Sequence, residues 1–415
     1  MKLKIAKGPY WLFLISPIIA LVYGLKLNHK VWAKNMLWLF IIFFGFTMVI
    51  DISQNYDSTR YAIRFLMYRE QNFTLTQFFE EVFSGSTGYV DFAAPLITIL
   101  VAQFTGNYHF LFAAFGLFFG YFYSRNLWFL FELTNGRIKK YSIVLLVAFA
   151  MVIVISEINV FRWMTASQVF MLGVLHYFFK KKRTGLLIAT ASIFFHFTFL
   201  LAIIVLITYH FAGNRRIIYF GLYAISMFFV QLDYRGFDQY LTVLPDVFEE
   251  RYSPYLVDPE DYKPGRAEGG PPSLLKTAQM PAINYSIFIL ISIILILRKK
   301  LGPIPDSVEN IFSFSMLFLG VFNLLFAIPS MHRFAFFGRA IALASIFLLA
   351  QHEKPSKYLK KPILFLSPFI SIYIIYRFRA FIEFAPLLTF WGNPIIAPFF
   401  RDDMRIVDFL RSIFG

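Results

Sequence analysis

Apolar residues in this chain occur in long runs that short polar or basic segments separate. A helix needs about 20 largely apolar residues to cross a bilayer core of roughly 30 Å. Two runs are awkward in length: 92–104 is too short to span comfortably, and 185–211 is long for one helix and short for two. Ten further runs are predicted membrane helices, several of them extended by aromatic residues: 11–23, 36–52, 110–123, 141–155, 164–179, 217–230, 287–297, 311–328, 340–350 and 363–376.

Composition supports a membrane protein. Hydrophobic residues make up 58% of the 415-residue chain and charged residues 15%, against roughly 25% charged residues in a soluble domain. This excludes a disordered chain and an ordinary cytosolic enzyme. The chain has no cysteine, which excludes a disulfide scaffold, a thiolate zinc site, an iron–sulfur cluster and a catalytic thiol. We expect an all-α, polytopic integral membrane protein with one membrane domain, 1–415, and about 10–14 transmembrane or re-entrant helices.

The net charge of +15 would suggest nucleic acid in a soluble protein. Here the basic residues lie in short loops between apolar runs, so they predict cytoplasmic loops of a protein in a lipid bilayer, with no nucleic-acid partner. The longer polar stretches are predicted to be external: 53–91 as a loop with short helices, 233–284 as an irregular loop, and 377–415 as a C-terminal tail. The basic clusters lie at 26–34, 137–140, 180–183, 215–216, 298–300 and 354–361.

The run 185–211 has two interpretations. Basic clusters flank it on both sides, and both clusters should be cytoplasmic, so the run would enter the membrane and return on the same side. A re-entrant hairpin would place His196 near its tip, at membrane depth. The alternative is a single long tilted helix with Arg215 and Arg216 outside. The run 92–104 is a second re-entrant candidate by the same argument.

Ionisable residues at membrane edges are costly and often mark function. The first group is Asp57, Arg60, Tyr61 and Arg64, whose spacing of three and four residues puts them on one helical face. Its functional interpretation is a carboxylate held by arginines and a phenol at the mouth of a cavity. The alternative is a surface ion pair of little energetic importance.

The second group is Asn159 and Arg162, in a short external turn. Arginine suits bidentate contact with phosphate, whereas the alternative is pairing of Arg162 with the nearby Glu157 plus snorkelling. His196 is a lone histidine among phenylalanines, and a satisfied structural histidine is its alternative interpretation.

The third group is His332, Arg333 and Arg339, at the entrance of an inward-running helix. Positive-inside bias makes external arginines unexpected, so they are candidates for binding an anion, with snorkelling anchors as the alternative. Arg377 and Arg379 are weaker candidates that fit an interfacial position better.

The chain lacks the motifs HExxH, DxD, GxSxG and GxxxxGK. Zinc proteolysis, metal-chelated nucleotide-sugar transfer, serine hydrolysis and ATP hydrolysis therefore lack their usual residues. External arginines around a lipid-accessible cavity favour an anionic ligand of the diphosphate type, because arginine can stabilise charge on a leaving phosphate. We expect no cofactor and no metal.

Four segments, in this order and spacing over about residues 34–211, carry a family resemblance. They are Asp57-Ser-Thr-Arg60-Tyr61, Asn159-Val-Phe-Arg162-Trp-Met-Thr-Ala166, the basic 180–183, and Ala191-Ser-Ile-Phe-Phe-His196. They resemble the EpsG family of Wzy-like polysaccharide polymerases, multi-pass proteins of bacterial exopolysaccharide, capsule and O-antigen clusters. Two positions depart from the family pattern: Asn55 and Trp163 stand where the family often has Gly and Gln.

The resemblance implies a GT-C-like or Wzy-like helical bundle in the bacterial cytoplasmic (inner) membrane. It also implies a metal-independent glycosyltransferase that moves a glycan from undecaprenyl diphosphate to a lipid-linked repeat unit on the external face. Its partners would be the undecaprenyl-diphosphate-linked oligosaccharide and a chain-length regulator and flippase of the same pathway. The alternatives are an O-antigen ligase and a lipid-linked oligosaccharide flippase or transporter.

The resemblance also implies roles for individual residues. Arg162 and Arg333, with Arg339, would clamp the diphosphate, and Asn159 would contribute to substrate binding. Asp57 or His196 would act as the general base, a role that needs a pKa near neutrality. Arg60 and Tyr61 would position Asp57 or the sugar.

Overall fold

The computed structural model describes residues 7–50, 56–84, 91–134, 137–229, 273–326, 328, 331–399 and 404–414. Throughout these ranges the regular structure is helical, apart from one isolated bridge between Pro386 and Arg405. Five helical segments are long and apolar enough to cross a membrane, with five shorter apolar helices beside them. The predicted all-α, polytopic membrane class is confirmed, and the number of helices that cross remains a prediction. The predicted loop 233–284 lies outside the described residues as far as residue 272.

The chain forms two compact units. The first comprises residues 1–138, 153–200 and 377–415, and the second comprises 139–152 and 201–376. Helices of the first unit are α1 (Trp11–Ile15), α2 (Pro17–Lys26), α3 (Ala33–Thr47), α4 (Asp57–Glu70), α5 (Leu75–Ser84), α6 (Ala93–Phe104), α7 (His109–Leu133), α9 (Phe161–Phe179), α10 (Lys182–Ala191), α17 (Leu387–Trp391) and α18 (Ile406–Phe414). Those of the second are α8 (Ile143–Val152), α12 (Arg216–Phe229), α13 (Leu274–Ile296), α14 (Asp306–Leu324) and α15 (His332–Gln351), while α11 (Phe199–Ala212) and α16 (Glu353–Phe384) belong partly to each.

Close packing of α3 against α7 organises the first unit. Gly45 of α3 meets the backbone of Phe112, and Gly116 of α7 meets the backbone of Ile41, so the two helices run antiparallel. Gly116 and Gly120 form a small-xxx-small stripe of the kind that lets membrane helices approach closely. At the far end, Lys34 pairs with Glu132 at 3.3 Å. We name this the basic end of the unit, because the cluster 26–34 lies there.

The N-terminal run 11–23, predicted as one membrane span, is instead a short helical hairpin. Ser16 has extended backbone between α1 and α2, and Pro17 occupies the first turn of α2. Gly8 packs against the Trp32 ring, and Tyr23 stacks on the same ring with centroids 5.8 Å apart. Both ends of the hairpin therefore lie near Trp32, so the predicted single span is wrong.

The run 185–211 is two helices rather than one. Helix α10 packs antiparallel to α9, since Gly185 meets Tyr177 and Ala189 meets Gly173. After a 3-10 turn at Ser192–Phe194, the chain is not helical until α11 begins at Phe199. The single tilted helix is thus wrong, and His196 lies in the break between the two helices, while re-entry into the membrane stays a prediction.

The last long helix, α16, extends to Phe384 and includes Arg377 and Arg379. The predicted start of the C-terminal tail at residue 377 is therefore inside a helix. Beyond it, the chain packs back onto the first unit: the Thr389 and Thr47 hydroxyls are 2.5 Å apart, and Asn393 Nδ2 donates to the Leu14 carbonyl at 2.8 Å.

In the second unit, α14 packs beside both α12 and α15. Asn323 Nδ2 of α14 donates to Ser226 Oγ of α12 at 3.2 Å, in a buried position. Phe322 of α14 stacks on Phe334 of α15 with centroids 4.6 Å apart. At the start of α14, Glu309 pairs with Arg216 at 3.4 Å and with Arg298, so one carboxylate holds two of the predicted cytoplasmic clusters.

Candidate functional site

The start of α4 and the segment before α9 meet through a backbone contact. The first N–H groups of a helix have no partner within the helix. The Ser58 N–H, in the first turn of α4, donates to Asn159 Oδ1 at 3.0 Å. Asn159 belongs to the 3-10 turn Ile155–Val160 that leads into α9. Its side chain therefore caps α4 and fixes the two segments to each other.

Arg162 lies in the first turn of α9, where the helix dipole already favours negative charge nearby. Its Nε donates to the Tyr61 hydroxyl at 3.2 Å, and its Nη1 donates to Asp91 Oδ2 at 3.0 Å. The Arg162 side chain is 44% exposed, whereas that of Asp91 is 6% exposed. The carboxylate is thus buried behind the guanidinium, and part of the guanidinium faces outward.

Asp91 also connects to the break that contains His196. Its Oδ1 accepts a hydrogen bond from the Phe197 N–H at 2.9 Å. His196 is 7% exposed, and its Nδ1 is 2.8 Å from Thr198 Oγ1 and 3.4 Å from the Thr198 backbone N. A backbone N–H can only donate, so Nδ1 acts as an acceptor and Nε2 carries the ring proton of the neutral imidazole.

Tyr61 is buried against Arg162 and Phe115. Burial raises the pKa of the Tyr61 phenol above its usual value, and the negative charge of Asp57 adds to the increase, while the positive charge of Arg162 opposes it. The phenol consequently stays protonated at neutral pH and can still accept the Arg162 hydrogen bond through its oxygen.

The remaining residues of the first group are more exposed. Asp57 and Arg60 form an ion pair at 3.7 Å, with 64% of the Arg60 side chain exposed. Arg64 is also exposed. The shared helical face is therefore divided between a buried Tyr61, which contacts Arg162, and arginines that lie at the surface.

Glu157 does not pair with Arg162. It accepts a hydrogen bond from Arg377 Nη2 at 2.6 Å, and both side chains are mostly buried. The sequence-based alternative, a Glu157–Arg162 pair, is wrong because Arg377, near the end of α16, takes the Glu157 carboxylate. Arg379 pairs with Glu383 one turn further on, at 2.9 Å and with high exposure.

Aromatic rings line the inner side of the site. Phe161 stacks on Phe115 with centroids 3.9 Å apart, and Phe195 lies edge-on to Phe161. Tyr61, Asp91 and His196 are buried, so the polar contacts of Arg162 lie on its buried side, where charge interactions are stronger than in water.

The other two predicted arginines belong to the second unit. Arg339 is 7% exposed, donates from Nε to Asn284 Oδ1 at 2.6 Å, and lies over the Phe336 ring at 5.1 Å. Arg333 is half-buried in the first turn of α15. Within the first unit, the structure brings together Tyr61, Asn159, Arg162 and the His196 turn, the non-helical segment 195–198 between α10 and α11. Arg333 and Arg339 belong to the second unit.

Asp91 is the residue that sequence reasoning missed. The sequence analysis includes Asp91 only as the last residue of the predicted external loop 53–91. The available signal was an acidic residue directly before the short apolar run 92–104. Among the described residues, no group of three or more histidines or carboxylates is arranged to hold a metal ion.

Comparison with known proteins gives one match. The EpsG family model matches residues 36–393, which is most of the chain. The match extends well beyond residues 34–211, over which the four segments carry the resemblance, and includes most of the C-terminal half. No curated protein and no solved structure matches.

Proposed function

Because this multi-pass membrane chain belongs to the EpsG family, which indicates a polymerase of exopolysaccharide type, we propose that it polymerises lipid-linked glycans. The donor would be a glycan on undecaprenyl diphosphate, and the acceptor a second lipid-linked repeat unit. The reaction would take place on the external face of the bacterial cytoplasmic membrane. The observation that carries the proposal is Arg162, a partly exposed guanidinium held at the start of α9 within an aromatic recess.

The Arg162 site suits a diphosphate leaving group. The acceptor hydroxyl oxygen forms a bond to the anomeric carbon, while the bond from that carbon to the diphosphate oxygen breaks. The electron pair leaves with the diphosphate, so negative charge grows on its oxygens. Tyr61 and Asp91 take one hydrogen of Nε and one of Nη1, and the outward part of the fork can bind the anion. The helix N-terminus adds further positive potential, and such fixed charge stabilises a developing anion.

The proton of the acceptor hydroxyl needs a base. Asp57 and His196 were both candidates, and the hydrogen bonds of His196 distinguish them. Because the Thr198 N–H donates to Nδ1, Nε2 carries the ring proton of the neutral His196 imidazole, and neither ring nitrogen is set up to accept the proton of the acceptor hydroxyl. We therefore assign the base to Asp57, with Arg60 holding its carboxylate at 3.7 Å. Asn159 would keep α4, and with it Asp57, fixed against α9.

Arg333 and Arg339 are the proposed contribution of the second unit. Arg339 lies within an apolar helix and is held by the amide of Asn284, and an ionisable residue in such a helix is by default a functional candidate. Arg333 is more exposed and lies on the same helix, closer to its start. Each would bind an anionic group of a lipid-linked substrate.

The decisive experiment is Arg162→Ala, with Arg183→Ala as the matched control. Arg183 is an exposed arginine at the opposite end of the α9–α10 pair. Each variant would be expressed in a strain lacking the native gene, and the glycans would be separated on gels, with protein levels measured by immunoblot.

We expect a ladder of repeat lengths from wild type and from Arg183→Ala, and single repeats from Arg162→Ala. Normal long polymer from Arg162→Ala at normal protein level would overturn the proposal. A single addition to a lipid A core, in place of a ladder from wild type, would identify a ligase instead.

A further inference from the structure

The buried carboxylate of Asp91 connects two parts of the candidate site that are distant in sequence. One oxygen accepts from Arg162, at a separation of 71 residues, and the other accepts from the Phe197 N–H, at a separation of 106 residues. The side chain is 6% exposed. A buried carboxylate is unfavourable unless its oxygens are hydrogen-bonded, and these two bonds meet that need.

Each of the two hydrogen bonds of Asp91 compensates for an unfavourable feature of the group that donates it. Arg162 places a cation where the dipole of α9 is also positive, and no acidic residue occurs in the first turn of that helix. Asp91 supplies the missing negative charge from outside the helix. Phe197 lies in the break between helices, so its N–H has no helical acceptor, and Asp91 provides one.

We propose that Asp91 is a positioning residue of the transfer reaction, holding the Arg162 guanidinium and the His196 turn in register with each other. This inference rests on the proposed function. Arg162 would face the departing diphosphate, and the turn that carries His196 is held beside Arg162 through the Phe197 N–H. One carboxylate therefore sets the distance between the two groups. Asp91 itself touches no reacting atom.

The proposal predicts opposite effects on binding and on turnover. Replacing Asp91 by Asn removes a negative charge beside the diphosphate site, so ground-state binding of the anionic donor should be unchanged or tighter. The amide can still accept from the Phe197 N–H, but it holds Arg162 weakly. A displacement of about 1 Å in a catalytic constellation can lower the rate about a hundredfold. A role in folding alone would weaken binding and turnover together.

The test uses the full-length protein in detergent with a lipid-linked repeat unit as substrate. The steady-state parameters of wild type, Asp91→Asn and Asp91→Ala would be compared. The control is Glu132→Gln, which removes another carboxylate of the first unit, paired with Lys34 at 3.3 Å at the basic end. Undecaprenyl diphosphate, as a competing ligand, would measure anion binding independently of turnover.

We expect Asp91→Asn to lower kcat about 10- to 100-fold with the affinity for undecaprenyl diphosphate equal to or above that of wild type. Asp91→Ala should lower kcat further, because it also removes the acceptor for Phe197, and Glu132→Gln should resemble wild type. A kcat for Asp91→Asn within about twofold of wild type would overturn the proposal. Equal losses of kcat and of diphosphate affinity would also overturn it, since they would indicate a general structural role.

Failure of this proposal differs from failure of the proposed function. If Arg162→Ala abolishes polymer while Asp91→Asn retains wild-type turnover, only the positioning role is lost. If Arg162→Ala makes normal polymer, the diphosphate site itself is wrong, and the role of Asp91 is overturned with it.

Discussion

The ion pair between Glu157 and Arg377 holds the 3-10 turn that leads into α9. The loss of stability when this pair is broken is a quantitative test of the structure around the candidate site. Glu157 belongs to the 3-10 turn that also carries Asn159, and Arg377 belongs to α16. Their side chains are 21% and 11% exposed, with Arg377 Nη2 2.6 Å from Glu157 Oε1. The substitution Glu157→Gln keeps the shape of the side chain and removes its charge.

Removing one partner of a fully buried pair costs about 3–5 kcal/mol, because the other charge stays buried without compensation. Both groups here keep some contact with solvent, so we expect a loss of about 2–3 kcal/mol for Glu157→Gln. The matched control is Glu383→Gln on the same helix. Its pair with Arg379 is 2.9 Å long but 61% and 45% exposed, and such exposed pairs contribute about 0–1 kcal/mol.

Thermal unfolding of the full-length protein in detergent gives the measurement. We expect a clearly lower midpoint for Glu157→Gln than for Glu383→Gln. The double variant Glu157→Gln/Arg377→Met should lose less than the sum of its single variants, because it leaves no uncompensated charge. Equal midpoints for Glu157→Gln and Glu383→Gln, or strict additivity in the double variant, would refute the assignment of this buried pair.

Three further outcomes follow from other parts of the structure. Tyr61→Phe removes the hydrogen-bond acceptor for Arg162 and should lower polymerisation by the same factor at pH 6.5 and at pH 8.5, because burial raises the pKa of the phenol and keeps it protonated at both values. A loss that differs between the two pH values would contradict the protonated phenol. Gly116→Ala places a methyl group against the Ile41 carbonyl and should destabilise the protein by about 1–3 kcal/mol. In the control, Gly221→Ala, the added methyl group meets no atom within 4 Å, so the thermal midpoint should stay nearly unchanged, and equal effects of the two substitutions would argue against the α3–α7 packing. In this cysteine-free chain, Gln71→Cys should react with an impermeant thiol reagent in intact cells and Lys182→Cys only after lysis; the reverse pattern would invert the predicted topology.

Sequence reasoning selected candidate residues that the structure places together, but it did not identify their partners. The residue types and their positions at predicted helix ends singled out Tyr61, Asn159 and Arg162. In the structure Arg162 donates to the Tyr61 hydroxyl, and Asn159 accepts from the Ser58 N–H in the first turn of the helix that carries Tyr61. The alternative interpretation paired Arg162 with Glu157, the nearest acid in sequence. The actual partner, Asp91, is 71 residues away, and hydropathy contains no information about pairing over such distances.

Hydropathy was also limited in how it divides apolar runs. The runs 11–23 and 185–211 are both apolar throughout most of their length, and both contain a break. In the first, Ser16 before Pro17 is a recognisable helix start, because serine is a common N-cap and proline suits the first turn. In the second, the break at His196 includes a hydrogen bond from the Phe197 N–H to Asp91, a residue too far away in sequence for any local pattern to predict.

The hairpin of α1 and α2 has a consequence for what holds this part of the chain in place. Helix α2 has ten residues, so it is about 15 Å long, half of the roughly 30 Å that a membrane span has to cover. Its position therefore depends on packing rather than on length: Phe13 and Ala20 are buried in one cluster with Met36 and Phe43 of α3, and both ends of the hairpin contact Trp32. A substitution that weakens this cluster would release the whole hairpin, whereas a true membrane span would be retained by its own apolar length.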